Sequence, residues 1–281
     1  MKILVTGWRG FIGSHLTEKL LELGHEVIGI DNGQSEFFQT KTGHEPYNNP
    51  KVKVHKLKNL CNSDTFDLKG IDAVFHVAAI ARIPQSFDNP HLYYQNNVLS
   101  TLNLLEACRR QGIKKFIYSS SSSVVEPSNP YAHSKLIGEE LCEMYAHLYG
   151  MEIQCLRYFN VYGKRMAQGG YATVLQKFKE QLDRGQPLQL FGQGKQKRDF
   201  TFVDDVVQAN LLMLNEFRWG IYDVGSGQNY SILEIAQQFN HTIEFVDGFV
   251  GRDETLANIK PLQEKGYKPT GDIRKWIALW A

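Results

Sequence analysis

The sequence predicts an α/β fold, in which a doubly wound parallel sheet is joined to a smaller, discontinuous C-terminal domain. Apolar strand-like runs alternate with amphipathic helix-like runs as far as Arg157, a pattern typical of a parallel sheet with helices on both faces. Beyond Arg157 the alternation loosens and the elements become shorter. A sheet of this kind binds its ligands at the carboxyl ends of its strands.

The first 31 residues predict a dinucleotide site. An apolar strand at residues 3–5 is followed by three glycines at the GxxGxxG spacing, which are Gly7, Gly10 and Gly13. A helix-like run comes next, and a second strand at residues 27–30 ends on the carboxylate of Asp31. The glycines allow a tight turn, the close approach of a pyrophosphate and close packing of helix on strand. The helix N-terminus favours phosphates, and Asp31 can accept hydrogen bonds from a ribose diol.

The remaining elements follow in order along the chain. We expect strands at 52–57, 73–77, 116–119 and 152–157, and helices at 91–111 and 131–149. The C-terminal third predicts helices at 172–184 and 203–214, strands at 188–191 and 221–224, and a helix capped by Ser231. This order assigns residues 1–158 and 199–226 to a dinucleotide-binding domain, and residues 159–198 and 227–281 to a substrate domain.

A serine, a tyrosine and a lysine form the candidate catalytic group. Residues 116–123 are an apolar strand that opens into a run of serines, and Ser121 lies ten residues before Tyr131. Positions i and i+4 share one face of a helix, so we expect Tyr131 and Lys135 to project together. An ammonium and a nicotinamide cation both favour a phenolate over a phenol, whose ordinary pKa is about 10. These groups suit hydride transfer at a secondary alcohol, with the serine holding the substrate oxygen. The alternatives are a surface pair or a base at His133, which the helix turns to another face.

Composition bounds the class of protein. The chain has 281 residues, 42% of them hydrophobic, and a formal net charge of +1, so nothing suggests a polyanionic partner. Its four cysteines form no CxxC pair and no tight group with histidines, so we expect reduced thiols and no metal site. A strand begins within two residues of the N-terminus, and no apolar run approaches the roughly 18–20 residues that span a bilayer. We therefore expect a cytoplasmic protein with no membrane segment.

In this order the motifs resemble the extended short-chain dehydrogenase/reductase family, specifically its nucleotide-sugar epimerases and dehydratases of the UDP-glucose 4-epimerase type. The resemblance covers nearly the whole chain and implies a Rossmann dinucleotide-binding domain with a nucleotide-sugar-binding domain. It is carried by residues 6–13, 31–32, 76–79, 90–106, 119–121, 131–135, 157–163, 198–205, 222–227 and 266–269.

The resemblance implies which residues hold the coenzyme NAD. The pyrophosphate lies on the glycine loop and the start of its helix, at Gly7, Gly10, Phe11, Ile12 and Gly13. The adenosine end lies at Asp31, Asn32, Asn59 and Leu60, although relatives usually carry an aspartate where this chain has Asn59. The other contacts are made by Ala78, Ala79, Asn96, Tyr131, Lys135, Tyr158 and Phe159. Asp31 disfavours a 2′-phosphate and so favours NAD, whereas Arg9 resembles an arginine that some NADP-using relatives place near that phosphate.

The resemblance also implies a catalytic set and a nucleotide-sugar site. The catalytic residues are Ser121, Tyr131 and Lys135, of which Ser121 and Tyr131 also contact the sugar. The other substrate contacts are Asn160, Arg198 and Arg252 at the diphosphate and Phe191 near the base. A guanidinium fork matches phosphate oxygens, so two of them hold a diphosphate firmly. The alternative for Lys195, Lys197 and Arg198 is a solvated basic turn. No aromatic platform accompanies these residues, so we expect no nucleic-acid partner.

Two loops depart from the family pattern. The loop between Ser123 and Tyr131 is short, with Val125 and Glu126 where relatives often have Tyr-Gly. The segment after Arg252 is also shortened, so the alignment of Arg252 depends on few neighbouring matches. Because the first loop borders the sugar pocket in relatives, this chain could have a wider site.

Three functions follow from these observations. The first is an NAD-dependent epimerase that inverts C4 of a UDP-sugar through a 4-keto sugar. The second is a 4,6-dehydratase or a 4-reductase, but serines stand at 122 and 123, where a dehydratase of this family carries acids, and only Glu126 could supply a carboxylate. The third is a dinucleotide-sensing binding protein without turnover. The helices at 91–111 and 131–149 resemble those that relatives pair, so we expect a homodimer.

Overall fold

Seven parallel strands form the central sheet of the computed structural model, which describes residues 1–33, 47–56, 59–167, 172–248 and 251–280. The strands are β1 (Lys2–Thr6), β2 (Glu26–Ile30), β3 (Lys53–Val54), β4 (Ala73–His76), β5 (Lys115–Ser121), β6 (Glu152–Tyr158) and β11 (Gly220–Val224). Their order across the sheet is β11-β6-β5-β4-β1-β2-β3. The chain reverses direction across the sheet between β1 and β4, so a crevice opens there at the carboxyl ends.

Helices cover both faces of this sheet. They are α1 (Phe11–Glu22), α2 (Ile83–Asp88), α3 (Pro90–Tyr93), α4 (Ser100–Arg110), α5 (Pro130–Tyr149) and α7 (Val203–Leu212). Side chains alternate along a strand, so successive residues of β1 enter different cores. Ile3 and Val5 pack with Leu16 of α1 on one face, whereas Leu4 packs with Leu104 of α4 on the other.

The C-terminal third builds a separate apolar cluster beside the carboxyl ends of the sheet. Its elements are β7 (Val161–Tyr162), α6 (Val174–Asp183), β8 (Leu188–Phe191), β9 (Lys197–Asp199), β10 (Thr201–Phe202), β12 (Asn229–Ser231), α8 (Ile232–Gln237), β13 (Ile243–Val246), α9 (Lys260–Gln263) and α10 (Ile273–Ala278). The strands pair two by two, β7 with β10, β8 with β13 and β9 with β12. Phe178, Leu190 and Ile235 are each about 1% exposed and centre the cluster.

The predicted parallel sheet is confirmed, and the differences lie in the helix at 91–111 and the strand at 52–57. The helix is divided, because a π-helical turn at Tyr94–Leu99 separates α3 from α4. The strand is reduced to β3, and residue 57 lies outside the described residues. The predicted cap is confirmed, since the Ser231 hydroxyl accepts from the Glu234 amide and the Glu234 carboxylate accepts from the Ser231 amide. Within the described ranges, no helix is both long and apolar enough to cross a membrane.

Candidate functional site

One continuous cleft, with a cavity volume of about 1160 Å³, runs along the carboxyl ends of the strands. One end is walled by the glycine loop and Asp31, the middle by Ser121 and Tyr131, and the other end by residues of the C-terminal third. Its length and its three chemically different regions suit an extended ligand or two ligands placed end to end.

The glycine loop brings backbone close to the cleft because side chains there would not fit. Gly7 has φ +66°, and a Cβ atom on it would lie 2.8 Å from the backbone of Ala78. A Cβ on Gly13 would lie 2.1 Å from the carbonyl oxygen of Gly7. Gly10 is the N-cap of α1, so the amides of the first helical turn point to the cleft without partners in their own helix. This end therefore has the geometry of an anion site.

Asp31 lies at the same end of the cleft, directly after β2. Its carboxylate accepts hydrogen bonds from the amides of Arg9 (3.1 Å) and Gly33 (3.0 Å), which fix its orientation. Arg9 extends away along the loop, where its Nε donates to the carbonyl oxygen of Tyr47 at 3.3 Å. Asn59 and Leu60 complete this wall, and the Asn59 side chain accepts from the amide of Cys61.

Tyr131 lies in the first turn of α5, at the centre of the cleft. The helix begins there because the Asn129 side chain accepts from the amide of Ala132 at 2.9 Å and Pro130 fixes the backbone of the first turn. The Tyr131 hydroxyl lies close enough to the Ser121 side chain, at the end of β5, for that side chain to lower its pKa. Strand end and helix start thus place two hydroxyl groups together, in position to hold one substrate oxygen.

The pKa of Tyr131 reflects opposing effects. Burial raises it, whereas the Ser121 hydrogen bond and the positive charge of Arg82 lower it, with a net rise. From the sequence, we expect the Lys135 ammonium and a bound nicotinamide cation to favour the phenolate. The Lys135 ammonium lies 4.5 Å from the centre of the Tyr118 ring, and burial lowers the pKa of this lysine to about 8. Among the described residues, Arg82 contributes a positive charge that lowers the pKa of Tyr131.

A buried ionic network lies behind Lys135. Glu139, one turn further along α5 and 3% exposed, accepts from Arg157 Nε at 2.9 Å and Nη2 at 2.7 Å. The same carboxylate accepts from the Ser120 hydroxyl at 2.5 Å. Its negative charge counteracts the effect of burial on the pKa of Lys135. The network joins β5, β6 and α5 directly beneath the catalytic candidates.

Two arginines meet at the far end of the cleft. Arg198 of β9 and Arg252 both line the wall, and burial followed by the charge of Arg252 lowers the pKa of Arg198. Arg252 Nη2 donates to the Ser122 hydroxyl at 3.4 Å; burial lowers the pKa of Arg252, and the nearby Glu126 carboxylate partly offsets that shift. Two adjacent guanidinium groups repel each other, so an anion with two phosphates between them would relieve that repulsion. Lys195 and Lys197 are exposed, as a solvated turn requires, but Arg198 turns into the cleft.

Asn160 and Phe191 lie on the wall at this end. The Asn160 amide donates to the carbonyl oxygen of Asp199 at 2.9 Å and to the Thr255 hydroxyl at 3.3 Å. It therefore ties the end of β6 to the C-terminal segments. The Phe191 side chain, 38% exposed, closes the end of β8 and presents an aromatic surface to the cleft.

Most of the predicted site residues line one cleft. Those on its wall are Gly7, Gly10, Phe11, Ile12, Gly13, Asp31, Asn32, Asn59, Leu60, Ala78, Ala79, Asn96, Ser121, Tyr131, Tyr158, Asn160, Phe191, Arg198 and Arg252. Lys135 and Phe159 are behind the wall, each 3% exposed. His133 is on the exposed side of α5, with its Nδ1 2.9 Å from the Tyr94 hydroxyl, and does not line the cleft.

Arg82 is one of the residues on the wall that the sequence analysis missed. It follows β4 and directly precedes α2, and it lines the cleft beside Tyr131. A signal existed in the sequence: an arginine six residues after His76, in a segment that otherwise carries small and apolar residues up to Pro84.

Comparison with known proteins places this site in a family. A model described as the NAD dependent epimerase/dehydratase family matches residues 3–225. A putative UDP-glucose 4-epimerase of Methanocaldococcus jannaschii is 34% identical, over 98% of this chain and 95% of that protein. The crystal structure of a Thermotoga maritima UDP-glucose 4-epimerase with UDP-glucose is similar with a TM-score of 0.88 and 29% identity, covering 99% of this chain and 97% of that one.

A third relative carries two ligands. The structure of UDP-glucuronic acid 4-epimerase from Bacillus cereus, in complex with UDP-glucuronic acid and NAD, is similar with a TM-score of 0.84 and 29% identity, covering 99% of this chain and 97% of that one. Fold, cleft and sequence agree, and the chain belongs to the NAD-dependent epimerase/dehydratase family.

Proposed function

We propose that this protein is an NAD-dependent 4-epimerase of a UDP-sugar. The observation that carries the proposal is the position of the neighbouring residues Ser121 and Tyr131, midway along one cleft. The glycine loop and Asp31 lie on one side of the pair, and the two arginines, Arg198 and Arg252, on the other. A coenzyme and a nucleotide sugar can therefore meet at the two hydroxyls.

The chain fits NAD at the glycine-loop end. The glycines there carry no side chains, so a pyrophosphate could approach the backbone closely. The carboxylate of Asp31, oriented by two backbone amides, would face the adenosine ribose. A negative charge at this point disfavours a 2′-phosphate, which supports NAD over NADP. We assign Ala78, Ala79, Asn96 and Tyr158 to the wall along the coenzyme, with Lys135 and Phe159 supporting it from behind.

The side chains suit proton transfer at the C4 hydroxyl of a sugar. Ser121 holds the C4 oxygen, and the Tyr131 phenolate takes the proton as the C4–H bond breaks. When bound at the glycine-loop end, NAD would supply the hydride acceptor and donor for C4. Arg198, Arg252 and Asn160 hold the diphosphate while the 4-keto sugar turns between the two transfers, and Tyr131 then gives its proton back to the C4 oxygen. Atoms and electrons balance, and the net reaction is an inversion at C4.

The direct test is turnover of UDP-hexoses by the purified chain without an added oxidant. We expect the C4 epimer, and we expect Tyr131→Phe to lower kcat by roughly 10²–10⁴-fold, the usual contribution of a general acid–base group. Tyr149→Phe is the matched control, because this tyrosine lies 47% exposed at the far end of α5 and should keep full activity. Equal turnover by Tyr131→Phe and wild type would contradict the assignment.

The alternatives make different products. A dehydratase would yield a 4-keto-6-deoxy sugar, and Glu126, the residue that could supply its carboxylate, lies beside Arg252 at the proposed diphosphate end. A 4-reductase would consume a reduced coenzyme in proportion to product. A binding protein without turnover would show no product with any sugar nucleotide while still binding NAD. Chromatography of the products distinguishes all four outcomes.

We also propose that the chain has two domains, one that binds the dinucleotide and one that binds the nucleotide sugar. Residues 1–158 and 199–226 carry the glycine loop, Asp31 and the catalytic hydroxyls, and so form the dinucleotide-binding domain. Residues 159–198 and 227–281 carry Phe191, Arg198 and Arg252, and so form the nucleotide-sugar-binding domain. Calorimetry should show that Arg198→Gln weakens binding of UDP without changing the affinity for NAD.

We propose that two copies associate through α4, its preceding π-helical turn and α5. The support is a set of exposed apolar side chains on these elements, Leu99, Met144 and Leu148. Sedimentation velocity should give a dimer that Leu148→Glu dissociates.

We further propose that the protein acts in the cytoplasm. The support is the free thiol state of Cys61, Cys108, Cys142 and Cys155, which a reducing compartment preserves. Cell fractionation tests this location.

A further inference from the structure

The two arginines at the far end of the cleft are carried by neighbouring backbone segments. Arg198 belongs to β9, and the segment that begins at Arg252 runs beside that strand as a parallel neighbour. The Thr255 amide donates to the Lys197 carbonyl oxygen, and the Asp199 amide donates to the Thr255 carbonyl oxygen, both at 3.1 Å. The Lys197 carbonyl oxygen also accepts from Arg198 Nη1 at 2.7 Å. This ladder fixes the backbone positions from which both guanidinium groups reach the cleft.

The Asp199 side chain adds a second connection between these segments. It is 0% exposed, and its two oxygens together accept four hydrogen bonds. Oδ1 accepts from the Ser226 amide at 2.7 Å and from the Ser226 hydroxyl at 2.8 Å. Oδ2 accepts from the Gly227 amide at 3.0 Å and from the Ala257 amide at 3.2 Å. One carboxylate thus joins β9, the turn after β11 and the end of the segment that carries Arg252.

A carboxylate suits this position because all four partners donate. An ionised carboxylate only accepts, and each of its oxygens can accept two hydrogen bonds. Burial raises the pKa of Asp199, and the hydrogen bonds from its partners counter that rise. An apolar side chain would leave the donors without this acceptor, which costs free energy. The position therefore requires a group that accepts at both ends.

Asp205, in the first turn of α7, is bound in the same way and provides a comparison. It is 2% exposed, and its Oδ1 accepts from the Thr270 amide at 2.8 Å and from the Thr270 hydroxyl at 3.0 Å. Its Oδ2 accepts from the Gly271 amide at 2.9 Å. Each aspartate thus binds a hydroxyl residue twice and the following glycine once. The bond from Ala257 distinguishes Asp199, because Asp205 and its two partners lie outside the cleft wall.

We propose that Asp199 is a positioning residue of the diphosphate site, which holds the Arg252 segment against β9 so that both guanidinium groups reach one diphosphate. The inference rests on the proposed function, because it takes the anion between Arg198 and Arg252 to be the diphosphate of the nucleotide sugar. Asp199 does not line the described cleft, so it acts on the ligand through the arginines. A displaced guanidinium loses the alignment that its hydrogen bonds to phosphate oxygens require.

The test is the affinity for UDP, measured by calorimetry, with UMP as the shorter ligand. Asp199→Asn replaces one carboxylate oxygen by an amide group that cannot accept, so at least one of the four bonds is lost. We expect this variant to bind UDP about tenfold more weakly than wild type. UMP carries a single phosphate and uses fewer guanidinium donors, so its affinity should fall by less than about threefold.

Asp205→Asn is the matched control. It makes the same change in the same pattern of hydrogen bonds, so we expect it to lower the Tm by a similar amount. Its affinities for UDP and UMP should stay within about twofold of wild type, because no cleft residue depends on these bonds. Equal weakening of UDP binding in Asp199→Asn and Asp205→Asn would overturn the inference, since the effect would then be one of general stability.

A double-mutant cycle shows whether Asp199 acts through Arg252. Arg252→Gln alone should weaken UDP binding, and adding Asp199→Asn to it should weaken binding further by less than about twofold. The same factor in both backgrounds would overturn the inference, because a merely structural aspartate behaves in that way. In turnover of a UDP-hexose, Asp199→Asn should raise KM about tenfold and leave kcat within about threefold, as expected for the loss of uniform binding.

A milder pair of variants covers the case in which Asp199→Asn does not fold. Ser226→Ala removes one of the four bonds and should weaken UDP binding about threefold, whereas Thr270→Val removes the equivalent bond to Asp205 and should leave it unchanged. Equal affinities of these two variants would again overturn the inference.

The two proposals can fail separately. If UDP binds and the variants behave as expected but no UDP-hexose is epimerised, the proposed function fails and the role of Asp199 stands. If epimerisation is observed and Asp199→Asn binds UDP as tightly as wild type, the role of Asp199 fails and the proposed function stands. A wild-type chain that binds no UDP overturns both.

Discussion

Two of the bidentate arginine–glutamate pairs in the described part of the chain have similar hydrogen-bond distances and different burial, which suits them to a comparative stability measurement. Glu139 accepts from Arg157 at 2.9 and 2.7 Å, and Glu18 accepts from Arg165 at 3.0 and 2.6 Å. The Glu139 and Arg157 side chains are 3% and 24% exposed, whereas those of Glu18 and Arg165 are 38% and 35% exposed.

Removing the carboxylate should therefore cost very different amounts. Glu139→Ala leaves Arg157 partly buried without its main partner and Ser120 without its acceptor, a loss that usually costs about 3–5 kcal/mol. Asp223 also attracts Arg157, which places the expected loss near the lower value, about 3 kcal/mol. Glu18→Ala breaks a solvent-screened pair and should cost at most about 1 kcal/mol.

Urea unfolding followed by tryptophan fluorescence measures both losses, with the slope of the transition as a check that the denatured state is unchanged. A third variant, Glu139→Leu combined with Arg157→Met, removes both charges and should be more stable than Glu139→Ala alone. Equal losses in Glu139→Ala and Glu18→Ala would refute the argument, because burial would then have no bearing on the contribution of the pair.

Three other predictions concern the cleft and its support. Ser121→Ala removes a hydrogen bond that lowers the pKa of Tyr131, so the acidic limb of the kcat/KM profile should move to higher pH; an unmoved limb would show that Tyr131 is not the titrating base. Gly13→Ala places a methyl group 2.1 Å from the Gly7 carbonyl oxygen and should destabilise the fold by about 1–3 kcal/mol and weaken NAD binding. Gly24→Asn is the control, measured likewise by calorimetry and thermal melts: Gly24 has open space around it and a φ of +79°, which asparagine tolerates better than other side chains, so the variant should lose less stability and keep its affinity for NAD. Burial lowers the pKa of His76 to about 3 from 6.5, so the unfolded chain binds the proton first and stability falls as pH drops from 6.5 toward 3. His76→Asn should lessen that fall relative to wild type in urea titrations at pH 7 and pH 4, and an equal fall in both proteins would contradict it.

The sequence by itself determined those parts of the fold that are formed by residues close together along the chain. The strand, glycine loop, helix and second strand lie within residues 2–31, and each step follows from local sterics: Gly7 needs its positive φ, and Gly13 needs the absence of Cβ. The N-cap that starts α5 is equally local, because Asn129 and Pro130 precede Tyr131 directly. Alternating strand and helix patterns then implied a parallel sheet, and with it a cleft at the carboxyl ends.

Tertiary structure alone decided what surrounds Tyr131. The i, i+4 spacing puts Lys135 on the same helix face as Tyr131, but the ring of Tyr118, from a neighbouring strand, faces its ammonium. Arg82 lies near Tyr131 because the Tyr93 hydrogen bond and the start of α2 hold its backbone at a positive φ. No local sequence pattern predicts that conformation. Arg252 reaches Ser122 across 130 positions of sequence. Charges act through space, so their partners are fixed by the folded chain and cannot be inferred from spacing along it.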